Sequence, residues 1–148
     1  MPEIRLTSDQ LSLISMFQGI TGATAKDCII DDKHNRVIFI VASGQMGLAI
    51  GKEGAAVKKI ERAMKRPVEV VEEWSGEIEG MVKNTLNPKY VQEVRVVEQL
   101  DGTKKVTVVV DSTKKGAVVG LGGKNADKAR ILAKRYFDIT NLQITSEF

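Results

Sequence analysis

The sequence predicts an α+β protein made of two copies of one small unit. Three observations carry this. Helical spacing alternates with short β-branched apolar runs, the order helix, strand, strand, helix, helix, strand occurs twice, and the copies align at one fixed offset. Placing Gly51 on Gly120 sets that offset at 69 residues. At the same offset Val41 meets Val110, Ser43 meets Ser112, Gly47 meets Gly116, Ile50 meets Val119, Gly54 meets Gly123, and Lys65-Arg66 meets Lys134-Arg135.

The first helix opens at Thr7-Ser8-Asp9-Gln10, where Thr7 can cap orphan amides and Gln10 can reach back as a capping box requires. Leu11, Ile14 and Phe17 follow at helical spacing, and Gly19 and Gly22 end the pattern. Cys28-Ile29-Ile30 and Val37 to Val41 then read as a hairpin across the polar stretch Asp31 to Asn35. The second run is apolar throughout, as a central strand would be. From Ser43 to Lys65 the pattern is helix, glycine-framed loop, helix, with Val57, Ile60 and Met64 on one face and Lys58, Lys59 and Arg62 on another. Pro67 stops that helix, and Val68 to Val71 returns as a strand.

The second copy starts where Ser75 can cap a helix holding Ile78, Val82 and Leu86, closed by Asn87-Pro88. Val94 to Val97 and Val106 to Val110 flank the turn pair Asp101-Gly102. Helix, loop and helix run from Ser112 to Phe137, and Ile139 to Ile144 alternates as the last strand. The expected domains are therefore residues 1–73 and 74–148. No Gly/Ser/Pro-rich linker separates them, since Glu72-Glu73-Trp74-Ser75 passes almost directly from strand to helix, so the two are expected to pack in a fixed orientation. Trp74 is expected to pack at that junction.

Bulk properties restrict the function classes. The net charge of +3 lies wholly in the second half: the first 74 residues hold ten Lys/Arg and ten Asp/Glu, the rest twelve and nine. A basic balance is compatible with a nucleic-acid partner. One cysteine, Cys28, cannot form an internal disulfide, and no apolar run approaches the roughly 20 residues that span a membrane. A cytoplasmic protein without membrane association is expected. With a single His34 in a polar turn, and no Ser/His/Asp, Cys/His or paired-carboxylate constellation, neither catalysis, a metal, a cofactor nor a small-molecule substrate is expected.

The chemistry that does stand out is in the two glycine-framed loops, Gly51-Lys52-Glu53-Gly54 and Gly120-Leu121-Gly122-Gly123. Missing Cβ atoms let a nucleic-acid backbone approach main-chain amides, and the helix starting at each loop turns its orphan N–H groups and dipole toward an anion. Ile50 and Val119 can floor a base, and Gly47 and Gly116 match one another in the helix before each loop. Gly51-Lys52 is not a P-loop, because Glu53 stands where Ser or Thr is needed and Met46 where the first glycine would be.

This helix-loop-helix resembles the KH domain, whose Gly-x-x-Gly loop clamps about four nucleotides of single strand. A helix and strand ahead of the core are similar to the type II, or prokaryotic, version, and two such domains in tandem resemble the short NusA-like proteins of archaea. The resemblance covers nearly the whole chain. It implies single-stranded RNA as partner and a role in transcription elongation or termination; polymerase binding is not carried over with it, and RNA polymerase or other transcription proteins stay open as partners. The polymerase-binding and OB-type domains of bacterial members have no counterpart in these residues. Two further readings stay open: a ribosome-associated or assembly factor, and a protein-interaction scaffold with a degenerate KH surface.

The loops differ in content. Lys52 is opposed by Glu53, so the first variable pair carries no net charge, and the second pair has no charge at all. Lys124 just after the second loop, and Lys114 and Lys115 on the helix before it, are expected to supply the missing attraction. Lys58, Lys59 and Arg62, and likewise Lys128 and Arg130, form basic helix faces for which RNA contact and plain solvated surface both stay open. The expected RNA-binding set is thus Gly47, Ile50, Gly51, Lys52, Glu53, Gly54 and Lys58 in the first copy. In the second it is Lys114, Lys115, Gly116, Val119, Gly120, Leu121, Gly122, Gly123 and Lys124.

Overall fold

The computed structural model describes residues 4–146. Residues Arg5–Glu73 form one compact unit and the chain from Trp74 onward forms the other.

The first unit begins with α1 (Ser8–Thr21), and the capping box forms as its sequence requires. Gln10 N donates to Thr7 Oγ1 at 3.2 Å, and Thr7 N donates to Gln10 Oε1 at 2.8 Å. The Gln10 amide nitrogen also donates to the Cys28 carbonyl at 2.7 Å, tying the helix start to the sheet. Gly22 closes the helix in the left-handed conformation, φ 76°. β1 (Ala25–Asp31) pairs antiparallel with β2 (Arg36–Val41), which pairs parallel with β3 (Val68–Glu72), so β2 is central. Every residue of β2 is buried, as its unbroken apolar pattern demands. Phe39 stacks on Phe17 of α1 with ring centroids 4.2 Å apart, and Cys28, Val37, Val41, Ala49 and Ile60 complete a core around them. Between β2 and β3 lie α2 (Met46–Ile50), the first glycine loop and α3 (Ala55–Met64). At the far end of the sheet, Arg36 is 1% exposed and donates to Asp31 and Glu69, filling the space beneath the β1–β2 turn with an ion-paired triad.

The second unit repeats the order: α4 (Ile78–Thr85), β4 (Val91–Glu98), β5 (Lys104–Val110), α5 (Lys115–Val119), the second loop, α6 (Lys124–Phe137) and β6 (Asn141–Ser146). Its sheet also runs β4-β5-β6, antiparallel then parallel. The pairing slips by one residue at corresponding places, Ala25/Asp27 in the first sheet and Val91/Glu93 in the second. Met81, Val82, Val106, Val108, Val118, Leu132 and Ala133 form the interior.

Two local expectations change. Ser75 does not cap α4: Gly76 takes φ +80°, the helix starts after it, and Glu77 at the cap makes no side-chain bond. The last strand begins at Asn141 rather than Ile139, because Asp138 ends α6 left-handed and the Ile139 amide returns to the Ala133 carbonyl at 3.2 Å. Trp74 finds its ring partners in its own unit, edge-on to Tyr136 at 4.9 Å and 6.4 Å from Phe137.

Candidate nucleic-acid interface

Each glycine loop is a sharp turn between two helices. In the first, Gly51 N donates to the Gly47 carbonyl at 2.9 Å and ends α2, and Gly54 N donates to the Gly51 carbonyl at 3.2 Å. The Lys52 and Glu53 amides lie outside these internal bonds. In the second, Gly120 N donates to Gly116 O and Gly123 N to Gly120 O, both at 3.0 Å. The dihedrals agree along the loops: Gly51 (76°, 171°) with Gly120 (82°, 162°), Glu53 (54°, 30°) with Gly122 (65°, 16°), and Gly54 (75°, 15°) with Gly123 (78°, 15°). Two segments sharing only their framing glycines therefore fold to one shape.

The first glycine of each loop is required sterically. A Cβ on Gly51 would lie 2.8 Å from Ala56 N and 2.9 Å from Ala56 Cβ, and one on Gly120 would lie 3.0 Å from Asn125 N. The turn is thus folded tightly against the first turn of α3 or α6, whose orphan amides and positive dipole end lie at the loop. Glu53 is the exception among the variable residues. It holds the left-handed conformation that costs an L-residue about 1–2 kcal/mol, where the second loop has Gly122.

The side chains separate the loops further. Lys52 is exposed, and the Lys58 Cε sits 3.9 Å from where a Gly54 Cβ would be, so this lysine folds back along the loop. At the corresponding place in the second unit it is Asp127 whose Oδ2 lies 3.9 Å from the Gly123 position. Asp127 pairs with Arg130 Nη1 at 3.0 Å, and Arg130 Nε also donates to the Leu142 carbonyl at 3.1 Å. Leu121 projects from the second loop 89% exposed. Ile50 is exposed and Val119 half-buried at the ends of α2 and α5, and Gly47 and Gly116 are both exposed.

The remaining expected residues fall as follows. Lys124 opens α6 beside the second loop and is exposed. Lys114 and Lys115 are exposed at the other end of α5, and the Lys114 ammonium lies 5.5 Å from the centroid of the Tyr90 ring. Lys58, Lys59 and Arg62 are exposed, as is Arg130, but Lys128 is buried at 8% exposure and so does not belong to the solvated face. Sequence reasoning passed over Asp127, although the 69-residue offset pairs it with Lys58. It also passed over Tyr90, which no periodic pattern marks.

The arrangement can receive an extended anionic chain on main-chain amides, with flanking ammonium groups and aliphatic walls. Among the described residues no group of three or more His, Cys, Asp or Glu could hold a metal ion, and no helix is long and apolar enough to cross a membrane.

Comparison with known proteins agrees with this geometry. The family model for the KH domain matches residues 13–75, which contain the first loop. The chain is 39% identical to the probable transcription termination protein NusA of Halobacterium salinarum, over 96% of this chain and 99% of that one. It is 30% identical to the protein of the same name from Methanocaldococcus jannaschii, over 99% of this chain and 78% of the other. Among solved structures, the crystal structure of APE1850 superposes with a TM-score of 0.83 at 38% identity, over 94% of this chain and 99% of that one.

Proposed function

The chain belongs to the archaeal NusA family of KH proteins, and on that premise we propose that it binds single-stranded RNA through both glycine loops as a transcription termination or elongation factor. In this reading residues 1–73 and 74–148 are two tandem type II KH domains. The RNA backbone passes over Gly51–Gly54 and Gly120–Gly123, whose glycines admit it to the helix amides. Ile50 and Val119 wall the groove, Gly47 and Gly116 keep α2 and α5 from blocking it, and Lys52, Lys58, Lys114, Lys115 and Lys124 supply charge. The protein acts by binding rather than catalysis, in the cytoplasm, with RNA polymerase or other transcription proteins as its protein partners. The observation that carries the reading is the identical loop conformation in two units whose loop sequences share only the framing glycines.

The two loops are unequal partners. The first presents Lys52 and Lys58 to a phosphate, whereas the second presents Leu121 and has Asp127 alongside. The first loop is therefore the stronger phosphate contact. Because Gly51 and Gly120 cannot take a side chain without moving α3 or α6, the clean test leaves them in place. Lys52→Asp combined with Leu121→Asp alters two exposed residues at ordinary φ and sets a carboxylate in each phosphate path. Titration of a fluorescent unstructured RNA should show at least a tenfold loss of affinity at low salt, with the circular dichroism spectrum unchanged. Undiminished affinity in the folded double variant would remove the loops from the interface. Absence of RNA binding by the unaltered protein at low salt would favour a protein-binding scaffold.

A further inference from the structure

The second unit has charge where the first has packing, and the place is defined by the repeat. β4 enters its sheet at Val91↔Val110 as β1 enters at Ala25↔Val41, so Tyr90 stands where Thr24 stands in the first unit. The same backbone bond marks both: Ala42 N donates to Thr24 O at 2.9 Å, and Asp111 N to Tyr90 O at 3.3 Å. In the first unit the corresponding side chains, Gln45 and Ala23, carry no charge. Thr24 N donates to Gln45 Oε1 at 2.6 Å, and the neighbouring Ala23 is 1% exposed. In the second unit Gln45 is replaced by Lys114 and Ala23 by Lys89. Both ammonium groups converge on one half-buried ring, Lys114 at 5.5 Å and Lys89 at 5.9 Å from the Tyr90 centroid.

Two like charges gathered on one ring repel, and no carboxylate within 4.0 Å offsets Lys89, Lys114 or the adjacent Lys115 among the described residues. The nearest acid in sequence, Asp111, is engaged with the Thr113 amide at 2.9 Å and its hydroxyl at 2.8 Å. Asp111 still acts on Lys114 through its charge, so the corner sets three lysines against one carboxylate and keeps a net positive charge. It stands one short helix before the second loop, about 9 Å along the α5 axis from Lys114 to Gly120 at 1.5 Å per residue. Attraction of each lysine to the ring face also restrains a side chain that would otherwise lose rotamer freedom on binding.

We propose that Lys89 and Lys114, positioned by Tyr90, form a further phosphate-binding site for the same single-stranded RNA, extending the track of the second glycine loop back along α5. This rests on the RNA-binding reading above. It explains how a loop with an uncharged variable pair and Asp127 at its side can still hold an anionic strand. The attraction is displaced from the loop to the start of the preceding helix.

The test measures RNA affinity across a salt series for the full chain, Lys89→Gln, Tyr90→Leu, and the exposed α4 control Lys83→Gln. Each phosphate contact on a single strand contributes about 0.7 to the slope of log K against log salt. Lys89→Gln should therefore flatten the slope by about 0.7 and weaken binding about fivefold at 0.1 M salt. Tyr90→Leu should weaken binding with little change of slope, because both charges remain. Lys83→Gln should match the unaltered protein. If the unaltered protein binds, Lys52→Asp with Leu121→Asp abolishes binding, and Lys89→Gln has the same slope as Lys83→Gln, this site is refuted while the loop reading stands. If the unaltered protein does not bind at low salt, both fall. Lys89 is exposed, so its test survives even if Tyr90→Leu fails to fold.

Discussion

Substituting alanine for each glycine of the first loop in turn separates backbone conformation from steric contact. Gly51 lies at φ 76°, ψ 171°, a region open essentially to glycine alone, and its added Cβ would meet Ala56 N at 2.8 Å. The conformational cost is about 1–3 kcal/mol, and forcing the start of α3 away adds about 1–3 kcal/mol. The stiffer unfolded chain returns about 0.4–1 kcal/mol, which leaves a net loss of about 2–5 kcal/mol. Gly54 lies in the ordinary left-handed region, φ 75°, ψ 15°, and its Cβ would touch only Lys58 Cε at 3.9 Å. Gly54→Ala should therefore cost only about 1 kcal/mol after the same unfolded-state gain. Urea unfolding, with methyl resonances of Ile60 reporting on the first unit, measures both. At about 1 kcal/mol per M for a unit this small, the two midpoints should differ by 1 M or more. Equal midpoints would refute the claim that the loop is folded against α3.

Arg36→Met removes the guanidinium that Asp31 and Glu69 share, at a site where Arg36 is 1% exposed, and should destabilise the first unit by about 3–5 kcal/mol in thermal or urea unfolding. Glu53→Gly relieves the left-handed strain and removes a carboxylate from the phosphate path, so RNA affinity should rise by up to about fivefold at low salt, the equivalent of about 1 kcal/mol of screened charge. Acid should loosen turns of the second unit. The Thr113 hydroxyl and amide hold the Asp111 carboxyl below its ordinary value of 3.8, and the Thr103 hydroxyl and amide do the same for Asp101. Because each folded carboxyl binds its proton more weakly than the unfolded one, its contribution is fully present above pH 3.8 and is lost as the pH falls through the lower folded-state value. Protection of the Thr103 and Thr113 amides, taken against the intrinsic exchange rate at each pH, should therefore fall below that pH, while unchanged protection would contradict the turn geometry.

Much of this architecture is legible because the repeat constrains it twice. The Thr7–Gln10 box, the continuous apolar run of β2 and the glycine pairs have local causes, and each forms as its residues dictate. What escaped depends on contacts between distant positions. Ser75 has the right side chain for a helix cap, yet Gly76 turns the chain away before the helix begins. Lys128 looks solvated by residue type, but its place on α6 buries it. Tyr90 carries no periodic signal, and its two lysines come from separate segments that only the β4–β5 pairing brings together. Asp127 was within reach, since the offset that matches the glycines also sets it opposite Lys58. Reading the offset for unlike residues as well as like ones finds it.

Whether the glycine loops hold RNA is read by adding a short unstructured RNA to the isotopically labelled full chain and following every amide. The largest shifts should fall at Gly51–Ala55 and Gly120–Lys124, with the first loop saturating at lower RNA concentration. Shifts confined to other surfaces, with both loops unmoved at saturation, would contradict it.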